Sequence, residues 1–165
     1  MIFDVQTILK TEGMRVPVEV KLNPCEEFSD GELQFCGELS FAGELENVGG
    51  VLELSGTAEG VFTVPCARCT KITTQHYSVA INETFAHENA EGVDLEEVLL
   101  FVGTSIDLGE AIWPNVLLSV NTKYLCKSDC KGLCPMCGID LNEASCDCCQ
   151  DEIDPRLAGL ADLLK

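Results

Sequence analysis

Seven of the eleven cysteines lie between Cys126 and Cys149, and this cluster is the part of the sequence best suited to chemistry. Within it, Cys134-Pro-Met-Cys137-Gly138 places two thiolates one tight turn apart, and Gly138 can take the positive φ that lets backbone amides point at sulfur. Four thiolates around one ion suit zinc or iron. Because protein would fill every coordination position, we expect a structural zinc site. The candidate ligands are Cys126, Cys130, Cys134, Cys137, Cys146 and Cys148.

These six cysteines are more than one ion needs, and the sequence leaves the role of the spare pair open. The pair could fill a second site, exchange with the first, or be inert. Cys66 and Cys69, at the tip of a predicted hairpin, could form half of a second metal site or a thiol pair that shapes the turn. Cys25, Cys36 and Cys149 have no such spacing and are interpreted as ordinary residues.

Two other chemistries use similar cysteine patterns. The spacing of Cys130, Cys134 and Cys137 matches that of radical enzymes with a [4Fe–4S] cluster, but only 28 residues follow Cys137, too few for their α/β barrel. A smaller ferredoxin-like cluster stays open as an alternative. Thiol redox chemistry at Cys66 and Cys69 is disfavoured, because oxidoreductases place such a pair at a helix N-terminus.

The sequence shows no pattern typical of a hydrolase. It contains no phosphate-binding loop, no GxSxG and no HExxH. Of its two histidines, His76 falls on the polar face of a strand and His87 in a loop, where surface roles are expected. We therefore expect no enzymatic activity.

The chain is strongly acidic, with ten Lys and Arg against 28 Asp and Glu and a formal net charge of −18. Along the sequence the cations form no cluster, so broad RNA or DNA binding and anionic membrane surfaces are disfavoured. A strongly negative surface instead favours basic partners or serves only to keep the protein soluble. The N-terminus lacks the charged and apolar regions of a signal peptide, so the expected location is the cytoplasm.

Alternation of apolar and polar residues predicts an antiparallel sheet in the first half of the chain. Residues 35–45 and 52–64 form a long hairpin, and 77–85 adds a third strand. Further strands are expected at 16–22 and 98–102. Glycines inside the strands suggest curvature or bulges.

Helices are expected only in the second half. Asp107 starts a helix near 107–120, which Pro114 is expected to kink or split. Asp154 and Pro155 start an amphipathic terminal helix. The predicted fold is α+β: a curved antiparallel β-meander or partly closed barrel at 1–122, then a cysteine-rich zinc module with the terminal helix at 123–165.

Four motifs together resemble the YceD-like family, the large ribosomal RNA subunit accumulation proteins. They are Cys66-x-Arg68-Cys69, Ile106-Asp107-Leu108, the run from Asp129-Cys130-Lys131-Gly132-Leu133-Cys134 to Cys148, and Asp154-Pro155-Arg156-Leu157.

This resemblance implies a non-enzymatic bacterial or plastid-type factor for accumulation or processing of 23S rRNA, and hence for large-subunit assembly. Like charge opposes approach to RNA, so the partners we expect are large-subunit ribosomal precursors or basic ribosomal or assembly proteins, and direct RNA binding stays open. Arg68 and Arg156 are the candidate partner-binding residues.

Overall fold

The computed structural model describes residues 1–24, 33–90 and 98–148. These ranges are mostly sheet, with seven strands and two helices. In chain order the elements are β1 (Ile2–Asp4), α1 (Gln6–Leu9), β2 (Arg15–Leu22), β3 (Gln34–Val48), β4 (Val51–Pro65), β5 (Ile72–His87), β6 (Leu99–Phe101), β7 (Ser105–Asp107) and α2 (Leu108–Ser119).

Strands β2 to β6 form one sheet and lie in it in sequence order. Neighbours from β2 to β5 are antiparallel, whereas β6 runs parallel to β5. The sheet is curved, and β2 and β6 remain its two edges among the described residues. Among the described residues the fold therefore takes the meander form of the prediction, with β6 as a parallel addition, and the sheet does not close into a barrel. His87, expected in a loop, is the last residue of β5.

Three glycines inside the strands lie where neighbouring atoms leave no room for a side chain. At Gly43 the nearest of these atoms is the backbone oxygen of Ser55, 2.2 Å from a built Cβ. A Cβ built on Gly43 or Gly56, which pair across β3 and β4, would stand 2.8 or 2.6 Å from Cζ of Phe41. A Cβ on Gly60 would stand 2.3 Å from the hydroxyl oxygen of Tyr77 on β5. These three glycines thus allow close packing. The bulge that the sequence suggests lies between Cys36 and Ser40, where Gly37 has a positive φ of 73°.

Helix α2 covers the inner face of the sheet and begins as predicted. Asp107 is its N-cap, and Oδ1 of Asp107 accepts a hydrogen bond from the amide of Gly109 at 2.8 Å. The same oxygen pairs with the terminal ammonium of Met1 at 2.5 Å. The cap thereby ties the start of the chain to the helix.

Pro114 lies inside α2, which continues through it, so of the predicted kink or split the split does not occur. A proline removes one hydrogen bond from the helix. The side-chain amide of Asn115 donates to the carbonyl oxygen of Ala111 at 2.9 Å, which provides a local polar contact at this point. Ile112 and Val116 on either side are fully buried, so packing on the sheet holds the helix together.

The short N-terminal elements β1 and α1 were not predicted, because three or four residues are too few to show a periodic pattern of apolar residues. β1 pairs with β7 in a separate two-stranded sheet. Within the part of the chain that the structure describes, no helix has the length and apolar character needed to span a bilayer. The predicted terminal helix and Arg156 lie outside the described residues, and the domain boundary after residue 122 stays a prediction.

Candidate metal centres

Four cysteines from two distant parts of the sequence meet at one end of the sheet. Cys66 and Cys69 lie in the turn between β4 and β5, and Cys126 and Cys130 follow α2. Their sulfur atoms all lie within 4.8 Å of one another. All but Cys126 are buried. We refer to these four residues as the first cysteine group.

A second cysteine group is local in sequence. It consists of Cys134, Cys137, Cys146 and Cys148, whose sulfurs also lie within 4.8 Å of one another. Only Cys134 is buried, and Cys137 is exposed. The two groups thus differ in their exposure to solvent. They also differ in the length of sequence between their first and last cysteines, which is greater for the first group.

The first two cysteines of each group lie in turns of the same geometry. In one turn, Thr70 donates its amide hydrogen to the carbonyl oxygen of Cys66 at 2.9 Å, and the amide of Cys66 donates to Lys71 at 2.8 Å. In the other, Gly138 donates to Cys134 at 2.8 Å, and Cys134 donates to Ile139 at 2.8 Å. The chain therefore holds two copies of one knuckle.

The sulfur spacing fits a tetrahedral ion. Four sulfurs about 2.3 Å from one zinc lie about 3.8 Å from each other in a regular tetrahedron. In the first group, the Cys66 and Cys130 sulfurs are 3.9 Å apart, and those of Cys69 and Cys126 are 3.5 Å apart. Both distances far exceed the roughly 2.05 Å of a disulfide. The residues of each group could hold a metal ion.

Backbone amides prepare the first thiol of each knuckle for ionisation. Hydrogen bonds from the amide of Cys69 and then, against the opposing effect of burial, from that of Arg68 lower the pKa of Cys66 to about 6. The amides of Cys137 and Met136 lower the pKa of Cys134 to about 6 in the same way.

Two other thiols have raised pKa values. Although Cys126 as a residue is exposed, desolvation of its sulfur and then the neighbouring thiols raise the pKa of Cys126 to about 12. Beside Cys137, the pKa of Cys148 also rises to about 12. Four negative charges cannot share so small a volume unless a positive ion balances them.

The first group joins the sheet to the residues that follow α2. The amide of Ala67 donates to the carbonyl oxygen of Tyr124 at 2.8 Å, and the amide of Leu133 donates to that of Arg68 at 3.1 Å. Nη1 of Arg68 donates to the carbonyl oxygen of Cys130 at 2.7 Å. Arg68, predicted as a partner-binding residue, thus has an internal contact.

Lys71 adds an ionic contact between the two parts. Its ammonium pairs with Asp140 at 3.1 Å and with Glu143. Hydrogen bonds to Glu143 and then to Asp140 raise the pKa of Lys71. The pKa of Asp140 is lowered, first by the amide of Asn142. These charges hold the loop of the second group against the turn of the first.

Asn142 connects the two groups. Its side-chain amide donates to Sγ of Cys130 at 3.4 Å, and its side-chain oxygen accepts from the amide of Lys131 at 2.9 Å. Asn142 itself lies between Cys137 and Cys146 in the sequence. A residue in the loop of the second group therefore supports a sulfur of the first.

The structure divides the six predicted ligands between two groups, and their spacing in the sequence did not predict this division. Cys126 and Cys130 join Cys66 and Cys69, whereas the other four candidates remain together. Cys130 is thereby separated from Cys134 and Cys137, with which it would share a cluster in a radical enzyme. The signal available in the sequence was the shared CxxC spacing of the two knuckles. Among the cysteines interpreted as ordinary, Cys36 is exposed, and Cys25 and Cys149 lie outside the described residues.

Comparison with known proteins places this arrangement in a family. The model of the large ribosomal RNA subunit accumulation protein YceD matches residues 54–164, which contain both cysteine groups. No solved structure gives a significant match.

Curated relatives come from bacteria and a plant. An uncharacterised protein of Mycobacterium tuberculosis is 35% identical over 118 residues, covering 70% of this chain and 56% of the relative. A chloroplast protein of Arabidopsis thaliana, named large ribosomal RNA subunit accumulation protein YCED homolog 1, is 29% identical, covering 68% of this chain and 44% of the relative. The uncharacterised protein YlbN of Bacillus subtilis is 26% identical, covering 66% and 64%.

The chain spans about half the length of the Mycobacterium and Arabidopsis relatives. The family model, by contrast, covers well over half of the chain. The chain therefore belongs to the YceD family of large ribosomal RNA subunit accumulation proteins.

Proposed function

We propose that the protein is a non-enzymatic cytoplasmic factor for accumulation or processing of 23S rRNA, and so for assembly of the large ribosomal subunit. The observation that carries this proposal is the family match over residues 54–164, which includes both cysteine groups. The name of the Arabidopsis relative agrees with it.

The proposed metal is zinc, bound once by each cysteine group. The sulfur spacing and the amide hydrogen bonds of the knuckles support this choice. A dication with four thiolates leaves no open position for substrate, so its role would be structural. We propose that the first ion fixes the residues after α2 against the end of the sheet.

The proposed partner is a basic ribosomal or assembly protein, bound on the outer face of the sheet. Glutamates are frequent on that face and are opposed by only two cations: Glu19, Glu38, Glu44, Glu46, Glu53 and Glu59 lie with Arg15 and Lys21. Glu46 stands directly opposite Glu53 in the ladder. Arg15 already pairs with Glu46 at 2.9 Å, whereas Glu53 has no ion pair among the described residues. A basic partner would supply the missing positive charge beside Glu53.

Depletion of the protein in its own host tests the function. The proposal predicts a selective fall in 23S rRNA relative to 16S rRNA, restored by the wild-type gene. An unchanged ratio would contradict it.

Charge variants test the proposed partner surface. Glu53→Gln with Glu59→Gln should weaken binding to basic proteins extracted from large subunits. The matched control, Glu12→Gln with Glu88→Gln, neutralises two exposed glutamates outside the outer face. Equal binding by both variants would exclude the outer face as the docking surface.

A further inference from the structure

The thiols of the first cysteine group are covered by apolar side chains. Three of its four cysteines are at most 3% exposed, and Leu125 and Leu133 pack against them. The fourth, Cys126, is exposed as a residue, but its sulfur lies 3.5 Å from that of buried Cys69. An oxidant in solution therefore has little access to the sulfurs of this group.

The second cysteine group is open to solvent. Cys137 is exposed, and Cys146 and Cys148 are half-buried. The tip of its knuckle presents Met136, which is 73% exposed. Within the described ranges, no apolar cluster of the kind found at the first group covers these sulfurs. A small oxidant can therefore reach the thiols of the second group directly.

The segment that carries Cys146 and Cys148 has few bonds to the rest of the molecule. The last backbone hydrogen bond before it runs from the amide of Ala144 to the carbonyl oxygen of Asp140, at 3.0 Å. Residues 145–148 belong to no helix or strand, and among the described residues they form no backbone–backbone hydrogen bond. The sulfurs of this group, within 4.8 Å of one another, can thus approach to the roughly 2.05 Å of a disulfide.

The first group, by contrast, is fixed by hydrogen bonds that do not depend on the second. Its two halves are joined by the backbone bonds from Ala67 to Tyr124 and from Leu133 to Arg68. Loss of the ion from the second group should leave these bonds intact, so the first group should keep its own ion.

We propose that Cys137 and Cys148 form an oxidation site, at which hydrogen peroxide creates a disulfide and thereby releases the ion of the second group. Cys137 is the exposed ligand, and the thiol of Cys148 interacts most strongly with that of Cys137. The proposal rests on the zinc ions of the proposed function and adds a chemical reaction at one of them.

The step balances with peroxide as the one oxidant. The thiolate of Cys137 attacks an oxygen of hydrogen peroxide, which breaks the O–O bond, gives a sulfenic acid and releases hydroxide. The thiolate of Cys148 then attacks this sulfur, forms the S–S bond and displaces a second hydroxide. Two electrons pass from the two sulfurs to the two oxygens. Cys134 and Cys146 remain as ligands, which is too few for a closed tetrahedral site.

Oxidation would also loosen the connection between the two groups. The loop of the second group carries Asp140, which pairs with Lys71, and Asn142, which donates to Sγ of Cys130. Without the second ion this loop loses its anchor. The oxidised protein would keep the sheet and the first group and lose the ordered second group, so peroxide would switch off one module of the protein.

Treatment of the zinc-loaded full chain with hydrogen peroxide, beside a chromophoric zinc indicator, tests this proposal. The wild type should release one of its two ions. C66S/C69S, which keeps the second group, should release its ion at the wild-type rate, whereas C134S/C137S, which keeps the first group, should retain its ion. In the wild type, peptide mass spectrometry should find the Cys137–Cys148 disulfide, and a thiol reductant with added zinc should restore the second ion.

Two matched controls accompany this experiment. One variant replaces the three cysteines outside both groups with serine: Cys25, Cys36 and Cys149. It should release zinc as the wild type does, which excludes these thiols as the partner of Cys137. Met136→Leu should also behave as the wild type, because the exposed thioether takes no part in the reaction. Circular dichroism before oxidation verifies that each variant is folded.

Three results would overturn the proposal. They are retention of both ions in peroxide, loss of the first ion before or together with the second, and loss of the second ion without a Cys137–Cys148 disulfide. A protein with no ion at the second group before peroxide is added would overturn the proposed metal and this inference together. Because the 23S to 16S ratio is measured separately, retention of both ions is distinguishable from failure of the proposed function.

Discussion

Thr70 and Gly138 occupy the same position of two equivalent turns, directly after the second cysteine of each knuckle. Both have positive φ, 58° for Thr70 and 75° for Gly138. Each donates its amide hydrogen to the carbonyl oxygen of the first cysteine. One knuckle therefore uses the residue suited to this conformation, and the other uses a β-branched residue that is not.

The two positions should respond to substitution in opposite directions. Thr70→Gly removes a strained conformation and should raise the free energy of unfolding by about 1 kcal/mol. Gly138→Thr should lower it by about 1 to 2 kcal/mol, through backbone strain alone, because a Cβ there meets no atom within 4 Å.

Denaturant unfolding at fixed free zinc measures both effects. Thr70 Oγ1 donates to the carbonyl oxygen of Cys69 at 2.7 Å, so Thr70→Ala is the control that removes this bond and keeps the Cβ. A Thr70→Gly protein no more stable than Thr70→Ala would be inconsistent with strain at this position.

Asn142 should control the metal affinity of the first group although it lies in the loop of the second. Asn142→Asp replaces the donor to Sγ of Cys130 with a negative charge, and the loss of such outer contacts weakens metal binding about 10- to 100-fold. Competition with a chromophoric chelator measures the affinity. In a C134S/C137S background, only the first group remains.

Two controls accompany this experiment. Asn89→Asp changes an exposed asparagine away from both groups and should leave the affinity unchanged. In a C66S/C69S background, Asn142→Asp should affect the second group less than it affects the first. An equal effect on the two groups would mean that Asn142 acts through general folding.

Gly60 and Tyr77 should show strong coupling. Gly60→Ala places a methyl group against the Tyr77 ring and should cost about 1 to 3 kcal/mol of stability. In a Tyr77→Ala background this cost should largely disappear, whereas Tyr77→Phe should relieve it only in part, because Cζ of Tyr77 also lies 2.6 Å from the built Cβ. A double-mutant cycle by thermal unfolding measures the coupling, and additive effects would refute the contact.

The long strands were predictable because one face of each is buried. Alternation at residues 52–64 placed Leu52, Leu54 and Phe62 correctly in the core. The continuity of α2 through Pro114 was not predictable, because it depends on packing against the sheet. The close approach of Phe41 to Gly43 and Gly56, and of Tyr77 to Gly60, also depends on tertiary packing and was not predictable.

The turn at Cys134 was predictable from the sequence because glycine at position 138 indicates a residue with positive φ. The equivalent turn at Cys66 was not predicted, because Thr70 occupies the position where a glycine is expected. The turn at Cys66 lies beside Cys126 and Cys130 because of contacts between residues about 60 positions apart in the sequence. No local sequence pattern predicts such contacts.

Native mass spectrometry of the zinc-loaded protein tests the central claim most directly. The claim is that the eight cysteines form two metal centres. The account predicts two ions per chain for the wild type and for Cys36→Ser, and one ion for C66S/C69S and for C134S/C137S. A single ion in the wild type, two ions retained by C66S/C69S, or a brown iron–sulfur protein after anaerobic purification would contradict it.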